Sequence, residues 1–261
     1  MNVSNQLDLE LALATARRAA ASADEVAMRY FRGELAVERK DDASPVTEAD
    51  RECERVIRQI LLETFPDHAI FGEEYGHRGE SRFLWLVDPI DGTRSFIRGL
   101  PFWSVQIALM IDDELVLGVS SAPAFAEVAW AARGGGSWVN GKRTALRDCQ
   151  SLEQADVSFG NLRSMAKGPR WAWAGELVAR AARTRGYGDF YSYHRLADGS
   201  QDVVIESDVN ILDIAALSVI VREAGGRISD LDGQAIGLET TSILAASPGL
   251  HQQLLSSLHE D

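Results

Sequence analysis

Apolar residues recur at helical spacing over residues 7–31 (Leu7, Leu9, Leu11, Ala14, Ala19, Val26, Met28 and Phe31), which predicts a helix closed by Gly33. A second helix is predicted over 48–64, with Thr47 as its cap, Asp50 in its first turns and Val56, Ile57, Ile60 and Leu61 as its buried stripe. Phe65-Pro66-Asp67 ends it. Shorter apolar runs then take over. Residues 69–71 and 83–87 read as strands, the second stopped by Pro89, and 104–111 and 115–122 read as a hairpin about Asp112-Asp113-Glu114. Strands at 127–132 and 136–139 follow, with Asn140-Gly141 a type I′ turn signal.

Beyond residue 150 helices and strands alternate. The pattern predicts a strand at 157–159, an Ala-rich helix over 171–184, a turn at 187–189 and a helix over 190–197. A strand at 201–206, a helix over 213–224 closed by Gly225-Gly226, strands at 227–229 and 242–246 and a last helix over 249–258 complete it. An antiparallel first-half sheet followed by a smaller mixed second-half sheet, each with its helices, predicts an α+β/α/β layered sandwich. It forms one domain over 1–261 with subdomains of about 1–150 and 151–261.

Composition narrows the function. With 46% hydrophobic and 25% charged residues in 261, the chain can bury a full core. Its net charge of −13 argues against nucleic acid or an anionic membrane as partner. A small phosphorylated metabolite stays admissible if metal ions locally reverse the field. No run approaches the ~20 apolar residues that cross a bilayer, and the N-terminus lacks a basic and then apolar leader, so a cytoplasmic protein is expected. Cys53 and Cys149 make no metal-ligand spacing, in keeping with a reducing compartment.

The chemistry concentrates at residues 83–93. An apolar strand runs into Asp88-Pro89-Ile90-Asp91, and Gly92-Thr93 opens a helix. Carboxylates hold hard divalent cations and helix N-terminal amides hold anions, so this segment reads as a metal-dependent phosphate site. Asp50, Glu73 and Asp213 also stand at segment ends or in a first helical turn, where side chains of different elements converge with Asp88 and Asp91. The Ile90 carbonyl lies between two of these acids and is a further oxygen ligand. Gly92 permits close backbone approach, and Thr93 can cap the helix or position a water whose proton Asp50 would accept. Asp50 read alone is equally a first-turn acid complementing the helix dipole. Other chemistries lack support. Neither cysteine precedes a phosphate-cradling loop, the five histidines are scattered, and Gly134-Gly135-Gly136 lacks the Lys-Ser/Thr of a P-loop.

Gly72-Glu73-Glu74, the run from Trp85 to Thr93, Asp213 with Ala215-Ala216, and Glu223-Ala224-Gly225-Gly226 together resemble the inositol monophosphatase-like superfamily of Mg²⁺-dependent, lithium-sensitive phosphatases, over about residues 10–250. The resemblance implies the αβαβα layering of that superfamily, a homodimer, and two or three Mg²⁺ ions. Glu73, Asp88 and the Ile90 carbonyl would hold the first ion, Asp88, Asp91 and Asp213 the second, and Glu73 a weaker third. Thr93 with Asp50 would activate the attacking water, and Lys40 matches the family's mobile lysine. Arg94, the run Arg98 to Trp103, and Arg185-Gly186-Tyr187-Gly188-Asp189 resemble the histidinol-phosphatase branch. Arg185 and Arg94 would then be substrate contacts, with the backbone at Gly92 and Thr93 on the phosphate. Asp189 and Glu206 would pair with the ammonium and imidazole of histidinol phosphate. Inositol monophosphatase, 3′-phosphoadenosine 5′-phosphate phosphatase, and a catalytically silent binding protein are the alternatives. Leu212 stands where the family usually has Trp, which leaves the substrate-side packing there open. Tyr191, Tyr193 and His194 are expected chiefly as packing residues.

Overall fold

The computed structural model describes residues 7–33, 37–39 and 45–258. Helix α1 (Leu9–Tyr30) is capped by Asp8, and a pair of short strands, β1 (Val37–Arg39) and β2 (Pro45–Thr47), leads into α2 (Glu48–Thr64). Strands β3 (Ala69–Gly72), β4 (Gly76–Arg78) and β5 (Phe83–Asp91), the short helix α3 (Thr93–Ile97), and strands β6 (Ser104–Ile111), β7 (Glu114–Ala122), β8 (Glu127–Ala132), β9 (Ser137–Val139) and β10 (Lys142–Thr144) follow. The second half contains β11 (Asp156–Phe159), α4 (Leu162–Lys167), α5 (Trp171–Arg180), β12 (Arg183–Arg185), α6 (Asp189–Ala197) and β13 (Val203–Ser207). Helix α7 (Ile211–Glu223), strands β14 (Arg227–Ser229) and β15 (Ser242–Ala246) and helix α8 (Pro248–Leu258) complete it.

Among the described residues the strands form an eight-stranded sheet, β10-β9-β8-β7-β6-β5-β3-β4, a five-stranded sheet, β12-β11-β13-β15-β14, and the β1–β2 pair. Three apolar clusters define the layers. One packs α1 and α2 on the outer face of the large sheet, through Ala16, Ala20, Ile57 and Leu61 against Trp85, Ile107 and Val119. The second lies between the sheets: Leu86, Ala108 and Met110 meet α6 and α7, which in turn meet Val204, Ile243 and Ala245. The third joins α5 and α8 to the far face of the small sheet through Trp173, Leu177, Val203, Leu244 and Leu254. The result is the expected αβαβα sandwich. Between Asp213 and Arg222, helix α7 is apolar except for Ser218, as a helix buried between two sheets must be. At Gly118 on β7 a Cβ would stand 2.3 Å from the Ala216 carbonyl oxygen, so the missing side chain sets how closely α7 approaches the sheet.

Several local expectations change. Pro89 does not stop its strand: β5 continues to Asp91, with Asp88 opposite Gln106 and Asp91 opposite Ser104. Three steps on β5 thus match two on β6, a bulge that tolerates the proline's missing N–H and re-aims the side chains around it. The first-half sheet is not wholly antiparallel, because β3 pairs with β5 in parallel. The helix expected over 171–184 ends at Arg180, and residues 183–185 form a strand along β11. An open sheet edge there outweighs the helix propensity of an alanine-rich run. Leu11 and Met28 are exposed on α1, whose buried face is a run of alanines that permits close contact with α2 and the sheet. The Asp112-Asp113 turn has positive φ at both residues, the type I′ geometry that starts β7 at Glu114.

Candidate active site

The β5 bulge, the start of α3, and the first turns of α2 and α7 meet at one place. Two of the acids arrive there as the N3 residues of capping boxes. Asp50 accepts from the Thr47 backbone N–H at 2.8 Å through one carboxylate oxygen, and Thr47 Oγ1 accepts from the Asp50 N–H at 3.4 Å. Asp213 repeats the arrangement on α7, accepting from the Asn210 backbone N–H at 3.0 Å and its side-chain amide at 2.8 Å. Capping fixes each carboxylate relative to its helix before any ligand arrives.

Asp88 and Asp91 are buried at either side of the bulge, and ligand atoms of Asp88, Asp91 and Asp213 all lie within 4.8 Å of one another. Asp88 also accepts from the Ile90 N–H at 3.0 Å, which turns the Ile90 carbonyl toward Thr93; the Thr93 hydroxyl lies 3.1 Å from that carbonyl and 3.4 Å from Asp50 Oδ1. Gly92 caps α3 with φ +87°, and a Cβ there would stand 2.6 Å from the Phe102 carbonyl oxygen, so only glycine makes this turn. Glu73 follows β3, its N–H donating to the Val87 carbonyl at 3.2 Å, which ties it beside β5.

The electrostatics are those of a site built for cations. Burial, then repulsion from Glu73, Asp91 and Asp213, raises the Asp88 carboxyl well above its ordinary range. Burial and then repulsion from Asp189, Asp213 and Glu206 do the same to Asp91. Asp213 is pushed up to about 6, first by burial, and burial raises Asp50 as well. Crowded, buried and all-oxygen, this donor set fits a hard divalent cation, whose charge would restore ionisation.

A narrow cleft extends from Asp91 and Asp213, lined further by Asn161, Asp189, Tyr193, Glu206 and Leu217. Glu206 is buried and accepts from Tyr193 Oη at 2.6 Å; burial first, and Asp189 and Asp213 after it, push its carboxyl up to about 8. Asp189 is pushed up to about 6 by burial. Gly160 makes room for this arrangement, since a Cβ there would stand 1.7 Å from Glu206 Oε1.

Asp50, Asp88, Asp91, Thr93 and Asp213 therefore converge, and Asp189 and Glu206 share the adjoining cleft. Arg94 is exposed on α3 and is not among the cleft-lining residues. Arg185 lines a separate cavity with Arg183, Tyr187, Tyr191 and Arg195. Lys40 lies outside the described residues. His194 is wholly buried between Glu127 and Ser120, as a packing residue should be, and Leu212 is buried beside Asp213. Tyr193 packs too, but its hydroxyl serves the cleft. No sequence motif marks Asn161 or Gly160. Helix α7 starts at Ile211, two residues before its expected start, where Asn210 and Asp213 form a capping box.

The sequence matches the inositol monophosphatase family over residues 8–261. It is 42% identical over 262 residues to a histidinol-phosphatase of Mycobacterium tuberculosis, covering 97% of this chain and 98% of that protein. Among solved structures, the extragenic suppressor protein SuhB of Bartonella henselae superposes with a TM-score of 0.89 at 28% identity, covering 96% of this chain and 99% of that one. An inositol monophosphatase of Zymomonas mobilis superposes with a TM-score of 0.87 at 32% identity, covering 97% of this chain and 100% of that one.

Proposed function

The chain belongs to the inositol monophosphatase family, and from that premise we propose that it is a Mg²⁺-dependent phosphatase that hydrolyses L-histidinol phosphate to L-histidinol and phosphate. The observation that carries the reading is the juxtaposition of two unlike walls. The Asp88, Asp91 and Asp213 carboxylates gather beside Thr93 and Asp50, and the acids Asp189 and Glu206 line the same cleft. The first wall suits a phosphomonoester held through metal ions. The second suits a cationic leaving group, and histidinol carries an ammonium and an imidazole. A neutral polyol would offer these acids hydroxyl hydrogen bonds but no charge pairing.

In this reading Glu73, Asp88 and the Ile90 carbonyl would hold one ion, Asp88, Asp91 and Asp213 a second, and Glu73 would help to hold a weaker third. Mg²⁺ bound there would supply charge to neutralise the phosphate, to acidify a water and to stabilise the leaving alkoxide. The chain does the positioning. Thr93 orients the attacking water, with its hydroxyl placed by the Ile90 carbonyl and Asp50, and Asp50 receives the water's proton through it. Backbone donors at Gly92 and Thr93 hold the phosphate, while Arg94, exposed on α3, and Arg185, in its separate cavity, stand outside the cleft that Asp189 and Glu206 line. A homodimer and a cytoplasmic location complete the proposal; both cysteines are free thiols, consistent with a reducing compartment.

Asp91→Asn and Glu73→Gln test the assignment. Each should lower phosphate release from histidinol phosphate by roughly a thousandfold, about 4 kcal/mol of transition-state stabilisation, with an unchanged circular dichroism spectrum. Substantial turnover at saturating Mg²⁺ in either variant would contradict it.

A further inference from the structure

Helix α2 contributes more than Asp50 and its cap. Asp50, Glu54 and Arg58 follow one another at four-residue spacing, so they lie along one face of the helix. Glu54 is completely buried. A lone carboxylate in that position is strongly destabilising unless its oxygens are answered. They are answered by one loop. The Glu74 N–H donates to Oε2 at 2.6 Å, and the Tyr75 N–H donates to Oε1 at 3.3 Å. Arg58 donates from Nε to Oε1 at 2.6 Å, and its Nη2 reaches on to the Gly76 carbonyl. Residues 74, 75 and 76 are thus gripped by one i,i+4 pair. At the start of the loop, Gly72 gives the carboxylate its room: a Cβ there would stand 2.0 Å from Glu54 Oε1.

Glu73 lies inside this grip, between Gly72 and Glu74, with its N–H fastened to the Val87 carbonyl at 3.2 Å. The loop carrying Glu73 is therefore referenced to α2, the helix that also carries Asp50. Three donors converge on Glu54: two backbone N–H groups and a guanidinium. An amide in its place would turn an NH₂ group toward one of them.

We propose that Glu54 is a positioning residue that holds the 72–76 loop against α2, fixes Glu73 relative to Asp50, and so sets the divalent-cation affinity of the site. This rests on the reading of Glu73 as a metal ligand. Glu54 itself touches no ion and no substrate.

The test is Mg²⁺ binding by calorimetry to the full-length chain, with amide hydrogen exchange measured on the metal-free protein. Partners of metal ligands commonly alter affinity by about 10–100-fold, and Glu54→Gln should raise the Mg²⁺ dissociation constant by an amount in that range. The Glu74 and Tyr75 amides should exchange faster, while kcat at saturating Mg²⁺ stays near native. Native Mg²⁺ affinity in a folded Glu54→Gln protein would overturn the proposal, as would a loss of kcat that added Mg²⁺ does not restore. If Glu54→Gln fails to fold, Arg58→Gln loosens the same grip from its half-buried end and should weaken Mg²⁺ binding in the same direction; native affinity there overturns the proposal equally. Glu73→Gln separates this idea from the reading beneath it. Weakened binding there with native affinity in Glu54→Gln refutes the positioning role alone. Native affinity in Glu73→Gln refutes the ligand assignment and this proposal with it.

Discussion

Glu206 illustrates how much a single residue's environment adds to its identity. Its carboxyl is buried, bonded to Tyr193 at 2.6 Å and pushed up to about 8, so without a cationic ligand it keeps a proton near neutral pH. An ammonium or imidazolium group entering the cleft would favour the ionised form and gain a charge-assisted hydrogen bond. Such a bond is worth about 1.5–3 kcal/mol, or roughly 10–100-fold. Glu206→Gln and Asp189→Asn are accordingly expected to lower kcat/KM for histidinol phosphate by that factor, mostly through KM, and to change inositol 1-phosphate hydrolysis far less. Steady-state kinetics on both substrates decides it, and equal losses on both would remove Glu206 and Asp189 from substrate recognition. The chemistry of Glu206 could be read from the sequence through the expected ligand. Its partners could not, because Tyr193 comes from α6 and the space at Gly160 from the residue after β11, and no local pattern joins them.

At the scale of elements, what was legible was what is local. Thr47 followed by Asp50 marked the start of α2, because a capping box is written within four residues, while the same local pattern left Asp50 equally readable as an acid complementing the helix dipole. The Asp112-Asp113 and Asn140-Gly141 turns were equally plain, since positive φ at consecutive residues restricts their choice. The errors lie where a neighbouring strand decides. Pro89 looks like a terminator until β6 is present to hold Asp88 and Asp91 on either side of a bulge. Residues 183–185 look helical until β11 offers an edge. The bulge matters for function, because it brings Asp88 and Asp91 to one site, whereas the alternation of a regular strand would put residues three apart on opposite faces. Glu54 is unmarked in the sequence for the same kind of reason: beyond the local Arg58 pair, the backbone donors that define its role are 20 and 21 residues away on a different element.

For the molecule as a whole, the acidic cleft couples folding to pH and to metal. Asp213 and Asp189 are raised to about 6 and Glu206 to about 8, above the roughly 4 of an unfolded carboxyl. Between those values the folded metal-free chain binds more protons than the unfolded chain. Its stability from these groups is therefore full below about pH 4 and is lost as pH rises toward 8. Mg²⁺ prefers the ionised cluster, and at a hundred times its dissociation constant a ligand adds about 2.7 kcal/mol. The rise in Tm caused by Mg²⁺ is expected to grow from pH 5 to pH 8 in scanning calorimetry; a rise independent of pH would mean that the cluster is not where the metal binds. The central claim, a metal-dependent phosphatase whose second wall selects a cationic alcohol, has a more direct test. Phosphate release by the purified protein should be measured on histidinol phosphate, inositol 1-phosphate and 3′-phosphoadenosine 5′-phosphate, with Mg²⁺ and with chelator. The expected result is release that requires Mg²⁺ and a kcat/KM for histidinol phosphate at least about tenfold above the others, a difference of about 1.4 kcal/mol. A tenfold preference for either of the other substrates, or no Mg²⁺-dependent release from any, would contradict it.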